Sequence, residues 1–459
     1  MSSGARGLDL DLIVVGGGSG GLAAAFRAAG HGARVALIEP GELGGTCVNV
    51  GCVPKKAMWL AAHLAERIEL AAQLGFEGLP PEGMPPPKLD WCEFITHRQR
   101  YIAGIHASYR RRLDEAGIVT VASRGRLLDA RTVECADGVR LRAPRVVIAT
   151  GGRPRRPSIP GAELGMVSDD FFNLSAAPAR VAVVGGGYIG VELAGVLGML
   201  GSEVEMFVRG PRLLHDFDAD LARRLQENYH QAGIALHLGR EVRALARDGG
   251  RLRLRGSDER ESAFDAVLFA TGRQPNTGGL GLEEAGVVLD PSGHVQVDEW
   301  QDTSVEGVHA VGDVTDRVAL TPVAIAAARR LMDRLFGGVA DARLDYDNIA
   351  TVVFAHPPLG TVGLTAAQAR AFHGDDVHEY RAEFRAMLHA LADAPQRSLF
   401  KLVCVGAERR VVGIHLLGEG ADEILQGFAV ALKKGIVLDD LRDTVAIHPT
   451  SAEEVVLMR

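Results

Sequence analysis

Two cysteines dominate the chemistry that this sequence can perform. Cys47 and Cys52 lie five positions apart in segment 44–56, which reads GGTCVNVGCVPKK. On an ideal helix their side chains would point roughly 140° apart, and their Cα atoms would lie beyond the reach of a disulfide, about 7 Å. Pairing therefore requires a distorted backbone, which the glycines permit and Pro54 favours because it resists a regular helix immediately after it. A strained, accessible disulfide is easily reduced. Spacing alone favours two ordinary buried thiols.

A dinucleotide-binding fingerprint precedes the cysteine segment. It consists of an apolar strand, a G-x-G-x-x-G turn, a helix, a second strand and an acid: Leu10–Val15, then Gly16, Gly18 and Gly21, then Leu22–Ala29, Val35–Ile38 and Glu39. The glycines let a pyrophosphate approach the backbone at the helix N-terminus. Glu39, 18 residues after Gly21, is placed to bond a ribose hydroxyl. The full context predicts a bound dinucleotide.

The same unit recurs near the middle of the chain. Its parts are Arg180–Val184, then Gly185, Gly187 and Gly190, then Val191–Leu200 and Glu203–Val208. Two fingerprints predict two dinucleotides, as an electron-transfer enzyme with a flavin and a nicotinamide requires. The alternative is a duplication with one inactive site, which we disfavour because both turns keep all three glycines.

The remaining chain supplies closing strands, connectors and a third domain. Similar strands end the two units at Arg145–Ala149 and Ala266–Ala270, helical stretches are expected at Ala57–Leu74 and Trp91–Leu113, and a proline-rich connector separates those helices at Pro80–Pro87. From about Asp345 the pattern changes to strand-rich segments with two helices. We interpret this part as an α+β domain.

Composition excludes several classes of function. With 459 residues the chain predicts about two to four domains, and its net charge of −8 gives no reason to expect a nucleic-acid partner. We see no signal peptide at the N-terminus and no apolar run long enough to cross a bilayer. The scattered cysteines fit a reducing cytosol and lack zinc-ligand spacing. We expect a cytoplasmic protein without metal or membrane partner.

Segment 44–56 matches, residue for residue, the redox-active segment of a known family. The chain resembles the pyridine nucleotide–disulfide oxidoreductases, and within them the glutathione reductases. The resemblance implies an α/β protein with two Rossmann-like domains, which bind FAD and NADPH, and a C-terminal α+β dimerisation domain. The implied boundaries are 1–152 and 275–344 for the FAD domain, 153–274 for the NADPH domain, and 345–459 for dimerisation.

The resemblance also implies catalytic roles. Cys47 is then the thiol that attacks the substrate disulfide, and Cys52 is the thiol beside the flavin. Lys55 lies near the flavin N5 and pairs with Glu192 on the second fingerprint helix, although most lysines and glutamates are merely solvated surface groups.

A histidine supplies the acid–base group. His448, oriented by Glu453, is implied to reach the cysteines of the other subunit, so that the active site is shared within a homodimer. Capping of a C-terminal helix by Thr450 or Ser451 is a second, compatible role of this segment.

The cofactor-binding residues implied for FAD and NADPH lie in both fingerprints and in the turns that close them. They are Gly16, Gly18, Ser19, Gly21, Glu39, Thr46, Lys55, Thr150, Gly151, Asp313, Thr321, Gly185, Gly187, Tyr188, Ile189, Gly190, Glu192, Arg209, Arg212, His215 and Gly272. Asp313 is implied to bond the ribityl chain, and Tyr188 to cover the nicotinamide pocket.

The nicotinamide cofactor can be predicted from the end of the second fingerprint. Counting 18 residues past Gly190 reaches Val208, which is followed by Arg209. NADH would require a carboxylate there, whereas guanidinium suits the 2′-phosphate of NADPH. The second phosphate arginine of the family aligns with His215, and Arg212 is close enough to substitute. We therefore predict NADPH, with looser discrimination against NADH.

Glutathione disulfide carries carboxylates that require cations. The resemblance assigns its binding to Tyr101, Tyr109, Arg329 and Arg27, although Arg27 fits an ordinary surface charge nearly as well. Phe26 and Leu388 depart from residues often found in the family. Two rivals stay open: a reductase of another small disulfide, and a flavin diaphorase without disulfide turnover.

Overall fold

The computed structural model describes residues 9–77 and 88–459, so the connector Pro80–Pro87 lies outside the described residues. The strands, in chain order, are β1 (Leu12–Val15), β2 (Val35–Ile38), β3 (Val119–Val121), β4 (Gly125–Asp129), β5 (Thr132–Cys135), β6 (Arg140–Arg142), β7 (Val146–Ile148), β8 (Gly152–Pro154), β9 (Met166–Val167), β10 (Arg180–Val184), β11 (Glu203–Val208), β12 (Ala235–Leu238), β13 (Val242–Asp248), β14 (Arg251–Gly256), β15 (Glu261–Phe264), β16 (Ala266–Phe269), β17 (Arg273–Pro275), β18 (Val308–Ala310), β19 (Thr351–Val353), β20 (Leu359–Gly363), β21 (Val377–Phe384), β22 (Ser398–Val405) and β23 (Arg410–Leu417).

The helices occupy the segments between these strands. They are α1 (Ser19–Gly30), α2 (Gly45–Asn49), α3 (Cys52–Gln73), α4 (Trp91–Glu115), α5 (Ser168–Phe171), α6 (Tyr188–Met199), α7 (Ala219–Gln231), α8 (Thr321–Phe336), α9 (Ala366–His373), α10 (Met387–Leu391), α11 (Ala421–Lys433), α12 (Leu438–Arg442) and α13 (Glu453–Val456), with a 3₁₀ turn at Ala162–Leu164.

The chain forms two compact units, the first of which contains the cysteine segment. This unit comprises Met1–Lys55, Ile95–Arg155 and Arg273–Tyr346. Its parallel sheet has the order β18-β7-β1-β2-β3, and β1 is buried along its whole length, as expected for a strand covered on both faces. Helices α1 and α8 cover one face, and strands β4, β5 and β6 cover the other.

The second unit comprises Lys56–Phe94, Arg156–Gly272 and Asp347–Arg459. Its parallel sheet has the order β12-β11-β10-β16-β9. The first strand of the fingerprint is central here too, between the next strand and the closing strand, as in the first unit. The two predicted Rossmann-like folds are therefore confirmed. Parallel register brings the carboxyl ends of β10 and β11 to one edge, where the glycine turn follows.

The second unit also contains an antiparallel sheet from the C-terminal part of the chain. Its order is β19-β20-β23-β22-β21, and Leu425 and Leu432 of α11 belong to the same buried cluster as Phe400 and Leu402 of β22. Helices α9 and α11 have 8 and 13 residues, whereas α10, α12 and α13 have only four or five. The α+β prediction is confirmed, with three more short helices than expected.

One local prediction was wrong. Pro54 was expected to resist a regular helix immediately after it. Instead, α3 begins at Cys52 and runs to Gln73, with Pro54 in its first turn. Proline is tolerated there, since the first amides of a helix have no intrahelical acceptor. The helix consequently starts at the second cysteine rather than at Ala57.

Among the residues that the structure describes, no helix combines the length and apolar character needed to span a membrane.

Candidate active site

The two cysteines lie on either side of a helix break. Cys47 lies in α2, whose C-cap residue, Val50, has φ −143° and ψ 36°. Cys52 is the first residue of α3. At Gly51 a Cβ atom would lie 2.7 Å from the carbonyl oxygen of Thr46, so only glycine fits this turn. The break brings the thiols of Cys47 and Cys52 close enough to share a hydrogen bond. Cys47 is partly buried and Cys52 exposed, so they are not two ordinary buried thiols.

Hydroxyl groups at two helix N-termini surround this pair. The Cys52 Sγ lies 3.5 Å from the Oγ1 of Thr321, the first residue of α8. Ser19, the first residue of α1, and Thr321 both hydrogen-bond with Cys47 and favour its ionised form. Helix N-termini also stabilise negative charge, so these two hydroxyl groups and helix ends favour a thiolate at Cys47.

The pair itself opposes ionisation of Cys47. A hydrogen bond with Cys52 and then burial raise the pKa of the Cys47 thiol, and negative charge on Cys52 raises it further. Two adjacent sulfurs resist carrying two charges. Cys47 therefore requires a base from elsewhere to become a nucleophile.

Asn49 holds the backbone that carries the cysteines. Its Nδ2 donates to the carbonyl oxygens of Glu42, Leu43 and Gly45 at 3.2, 3.3 and 2.9 Å, and its Oδ1 lies 2.8 Å from the Nε2 of His106 on α4. Asn49 was not among the predicted site residues. Its position between the two cysteines was the signal that could have identified it.

The first glycine turn has the shape of a dinucleotide cradle. A Cβ at Gly16 would lie 2.4 Å from the carbonyl oxygen of Ala149, and one at Gly21 only 1.8 Å from that of Gly16. At Gly18 the nearest atom would be 3.8 Å away. Two glycines are thus required by packing, and the third leaves backbone open to a ligand. Glu39 accepts hydrogen bonds from the amides of Gly17 and Gly41 at 2.6 and 2.8 Å.

The turn that closes the first unit is cross-linked. The Thr150 hydroxyl donates to the carbonyl oxygen of Asn276 at 2.8 Å, and Gly151 has φ +66°. Arg273 donates to the carbonyl oxygen of Gly152 at 2.6 Å and to the Thr46 hydroxyl at 3.4 Å. The guanidinium Nε also lies 4.0 Å from the Asp313 carboxylate. Sequence reasoning missed Arg273, which connects three predicted FAD-site segments.

The second glycine turn repeats this arrangement. Gly185 has φ +126°, and its Cβ would lie 2.3 Å from the carbonyl oxygen of Ala270, while a Cβ at Gly190 would lie 2.5 Å from that of Gly185. Around Gly187 and Gly272 a Cβ would meet no atom within 4 Å. The open glycine, Gly187, is the N-cap of α6, where a pyrophosphate binds. Tyr188 and Ile189 form the start of that helix, and the Tyr188 side chain is exposed.

The loop after β11 presents the residues predicted to recognise phosphate. Arg209 is exposed, and the His215 side chain, 79% exposed, lies with its Nδ1 3.1 Å from the carboxylate of Asp216. Arg212 instead donates to the carbonyl oxygens of Phe217 and His215, at 3.0 and 2.5 Å. In the observed conformation Arg212 stabilises the loop, and Arg209 and His215 remain accessible.

Glu192 is buried in α6 and accepts a hydrogen bond from the amide of Phe354 at 2.8 Å. Lys55 is the last residue of the first unit, whereas Glu192 belongs to the second. Their pairing near a flavin stays a prediction.

His448 and Glu453 contact each other as expected. The His448 Nδ1 lies 2.9 and 3.1 Å from the two carboxylate oxygens of Glu453, and the imidazole is 79% exposed. The hydrogen bond with His448 is the main reason that the pKa of Glu453 is lowered. The Thr450 hydroxyl accepts from the amide of Glu453, the first residue of α13, at 3.3 Å, but the N-cap residue of this helix is Ala452 rather than Thr450 or Ser451. An oriented imidazole with a solvent-facing edge can transfer a proton to a ligand or partner.

The predicted substrate residues have different environments. Burial, and then the negative charge of Cys47, raise the pKa of Tyr109, so this hydroxyl lies within electrostatic range of Cys47. Tyr101 and Arg329 are exposed. Arg27 donates to the Asp333 carboxylate of α8 at 2.5 Å, and this ion pair joins α1 to α8 without excluding a substrate contact.

Comparison with known proteins agrees with this geometry. Residues 10–328 match the family model described as pyridine nucleotide-disulphide oxidoreductase, and residues 349–459 match the dimerisation domain of the same family. The chain is 42% identical to a glutathione reductase of Yarrowia lipolytica over 465 aligned positions. It is 43% identical over 465 positions to a glutathione reductase of Schizosaccharomyces pombe. Each alignment covers 98% of this chain and 98% of the relative. The chain belongs to the pyridine nucleotide–disulphide oxidoreductase family.

Proposed function

We propose that the protein reduces glutathione disulfide to two molecules of glutathione at the expense of NADPH, by way of FAD and the Cys47–Cys52 pair. The observation that carries this proposal is the helix break, which brings the thiols of Cys47 and Cys52 together beside the N-termini of α1 and α8. The two relatives named as glutathione reductases, similar over nearly their whole length, support the choice of substrate.

The residues present fit both cofactors. Open backbone at Gly18 and the carboxylate of Glu39 suit the pyrophosphate and ribose of FAD, with Asp313 and Thr46 further along the same unit. Gly187 and exposed Arg209 suit the pyrophosphate and 2′-phosphate of NADPH. The remaining predicted cofactor contacts belong to the same proposal. When bound, FAD accepts a hydride from NADPH and passes two electrons on to the cysteine disulfide.

The cysteines then carry out thiol–disulfide exchange. The Cys47 thiolate attacks one sulfur of glutathione disulfide, forming a mixed disulfide and releasing one glutathione thiolate, which takes up a proton. The Cys52 thiolate attacks Cys47 and releases the second glutathione. The Cys47–Cys52 disulfide reforms and one substrate disulfide has been reduced, so that each turnover consumes one NADPH and one proton.

His448 supplies the proton in this proposal, held in position by Glu453. It deprotonates Cys47 before attack and protonates the leaving glutathione. Because the chain carries the family's dimerisation domain, we propose a homodimer in which His448 acts on the cysteines of the partner subunit. Domain boundaries of 1–152, 153–274, 275–344 and 345–459, and a cytoplasmic location supported by the scattered cysteines, complete the proposal.

The backbone opening at Gly187 leads to a test of the nucleotide site. Changing Gly187→Ala adds a methyl group where a pyrophosphate would approach, so we expect KM for NADPH to rise roughly tenfold. The melting temperature should not fall, because the new Cβ meets no protein atom within 4 Å. Gly185→Ala is the contrast, since its Cβ would lie 2.3 Å from a carbonyl oxygen and should lower the melting temperature. An unchanged KM in Gly187→Ala would contradict this placement.

The function is tested by following NADPH absorbance with glutathione disulfide as acceptor. We expect rapid oxidation, faster in kcat/KM than with NADH. If NADPH reduces the flavin but glutathione disulfide does not reoxidise it, the substrate is wrong, and a panel of mixed disulfides and trypanothione-like disulfides replaces it. If only artificial acceptors are reduced, the protein is a diaphorase. If kcat/KM with NADH equals or exceeds that with NADPH, the cofactor assignment is wrong.

A further inference from the structure

The second unit contains a buried lysine to which no role in the reaction has been assigned. Lys401 of β22 is 2% exposed. Its Nζ contacts three carboxylates, at 2.9 Å from Asp218, 2.8 Å from Asp220 and 2.9 Å from Glu379. Asp218 is the N-cap residue of α7 and Asp220 lies in the first turn of that helix, whereas Glu379 lies on β21. One ammonium group therefore joins the nucleotide-binding fold to the C-terminal sheet.

Contacts within this cluster favour the charged forms of Asp218 and Glu379. Burial opposes the charged form of Asp218, but hydrogen bonds from Lys401 and its charge outweigh burial and lower the pKa of Asp218. Burial likewise opposes ionisation of Glu379, yet Arg381 and Lys401 lower its pKa to about 2. A buried ion pair is seldom more stabilising than apolar residues of the same volume, whereas it does define a unique register. Stability alone therefore does not explain the cluster.

Asp218 connects three parts of the unit. Its Oδ1 accepts the amide of Asp220 at 3.0 Å and thereby caps α7. Its Oδ2 accepts the amide of Ala366, the first residue of α9, at 3.3 Å. Both oxygens also accept from Lys401, at 3.0 and 2.9 Å. Because Asp218 is only 3% exposed, its position is determined by these contacts.

Asp218 is also the residue at which loop 209–217 ends. Inside this loop the amide of Leu214 donates to the carbonyl oxygen of Gly186 at 2.7 Å, and the amide of Leu213 donates to the Gln226 side chain of α7 at 2.9 Å. Leu213 and Leu214 are fully buried. One hydrogen bond thus attaches the loop to the glycine turn and one attaches it to α7, and the chain itself continues from the loop into the N-terminus of α7 at Asp218.

The outer face of the same loop carries exposed charges. Arg209 lies directly after β11, where the adenine ribose of a dinucleotide binds in this fold. His215 lies at the far end of the loop, with Asp216 as its neighbour and ion-pair partner. Binding of a 2′-phosphate requires cations on both sides of it. The distance between Arg209 and His215 depends on where Asp218 holds the end of the loop.

We propose that Lys401 and Asp218 are positioning residues for the 2′-phosphate site: by holding α7 against the C-terminal sheet, they place loop 209–217 so that Arg209 and His215 face the phosphate of NADPH. This inference rests on the proposed use of NADPH. In this arrangement the affinity for the 2′-phosphate depends on Lys401 of the C-terminal sheet, whereas the affinity for the rest of the nucleotide does not.

Calorimetric titration of the FAD-containing enzyme with 2′,5′-ADP and with 5′-AMP tests the proposal. Asp218→Asn keeps an N-cap oxygen of the same shape but loses the charge that Lys401 holds. We expect 2′,5′-ADP to bind at least about fivefold more weakly, with 5′-AMP changed by less than about twofold. KM for NADPH should rise in parallel, while the rate of flavin reduction at saturating NADPH stays the same, since the reacting groups are untouched.

A matched control breaks another contact between α7 and β21. Glu383→Gln removes the negative charge that pairs with Arg224 at 2.5 Å. Among the described residues, Arg224 makes no hydrogen bond with loop 209–217. Glu383→Gln should leave binding of both nucleotides at the wild-type level. Lys401→Arg is the second variant, to be used also if Asp218→Asn does not fold: it keeps the charge, but its planar head cannot replace a point charge among three carboxylates. The expected shift has the same direction.

The outcomes separate this inference from the function on which it rests. If wild-type enzyme binds 2′,5′-ADP no better than 5′-AMP, the NADPH assignment fails and the inference fails with it. If wild type prefers 2′,5′-ADP and both variants keep that preference, even with lowered melting temperatures, the cluster is only a structural contact and the inference alone is overturned.

Discussion

Cys47→Ser should abolish reduction of glutathione disulfide, with kcat lowered at least roughly a thousandfold. A serine hydroxyl cannot form the mixed disulfide, and it is far less acidic than a thiol. Reduction of the bound flavin by NADPH should persist, because Cys47 belongs to the exchange step and not to nucleotide binding. Stopped-flow reduction of the flavin and steady-state oxidation of NADPH measure the two steps separately.

Cys92→Ser is the matched control for this variant. Cys92 is exposed in α4, outside the cysteine segment, so the same substitution there should leave both steps unchanged. Turnover of glutathione disulfide by Cys47→Ser at more than a few per cent of the wild-type rate would show that another thiol is the nucleophile. The exposed partner, Cys52, would be the first candidate.

His448→Ala should lower kcat for glutathione disulfide by about 10²- to 10⁴-fold, the usual contribution of a general acid–base group. The reason lies in the pair of thiols: the hydrogen bond with Cys52 and burial raise the pKa of Cys47, so that little thiolate forms unaided at neutral pH. Histidine is the side chain best suited to remove this proton near neutrality.

The residual activity of His448→Ala should also depend on pH in a definite direction. Below the pKa of a thiol, the thiolate fraction increases about tenfold per pH unit. The residual rate of His448→Ala should therefore rise with pH across the neutral range, whereas the wild-type rate should change much less. His373→Ala, an exposed histidine at the end of α9, should behave as wild type. A residual rate that does not depend on pH would mean that His448 does not deprotonate Cys47.

Glu453→Gln tests the contribution of the carboxylate that positions His448. Glutamine still accepts a hydrogen bond from the His448 Nδ1, which lies 2.9 Å from the carboxylate, but it lacks the charge that favours the protonated imidazole. Activity should fall between those of wild type and His448→Ala.

Local sequence patterns were sufficient for the two nucleotide-binding folds. Strands Val35–Ile38, Arg180–Val184 and Glu203–Val208 were predicted with the bounds that the structure shows. All three are short, mostly apolar runs, and in a parallel sheet covered on both faces such runs have almost no other possible environment. The spacing of the glycines was equally readable, although Gly16 and Gly185 are required by the carbonyl oxygens of Ala149 and Ala270, which lie far along the chain.

Predictions were poorer where a residue's environment is formed by distant parts of the chain. Pro54 was expected to oppose a helix, yet its place in the first turn of α3 depends on where the helix begins. The start of α3 is decided by the packing of the cysteine segment on the first glycine turn, where a Cβ at Gly45 would lie 2.8 Å from the Cα of Gly18. Sequence spacing does not contain that contact.

The sequence by itself predicted the two dinucleotide folds, because their strands and glycine turns form local patterns, and its resemblance to a known family pointed to the cysteine segment and to the His448–Glu453 pair. Only the tertiary structure decided the environment of the thiols, since Ser19 and Thr321, which both contact Cys47, lie far apart in the chain. It also revealed Lys401 holding Asp218 across 183 positions. Such contacts form because burying a charge requires a partner, and the fold, not the local sequence, brings that partner near.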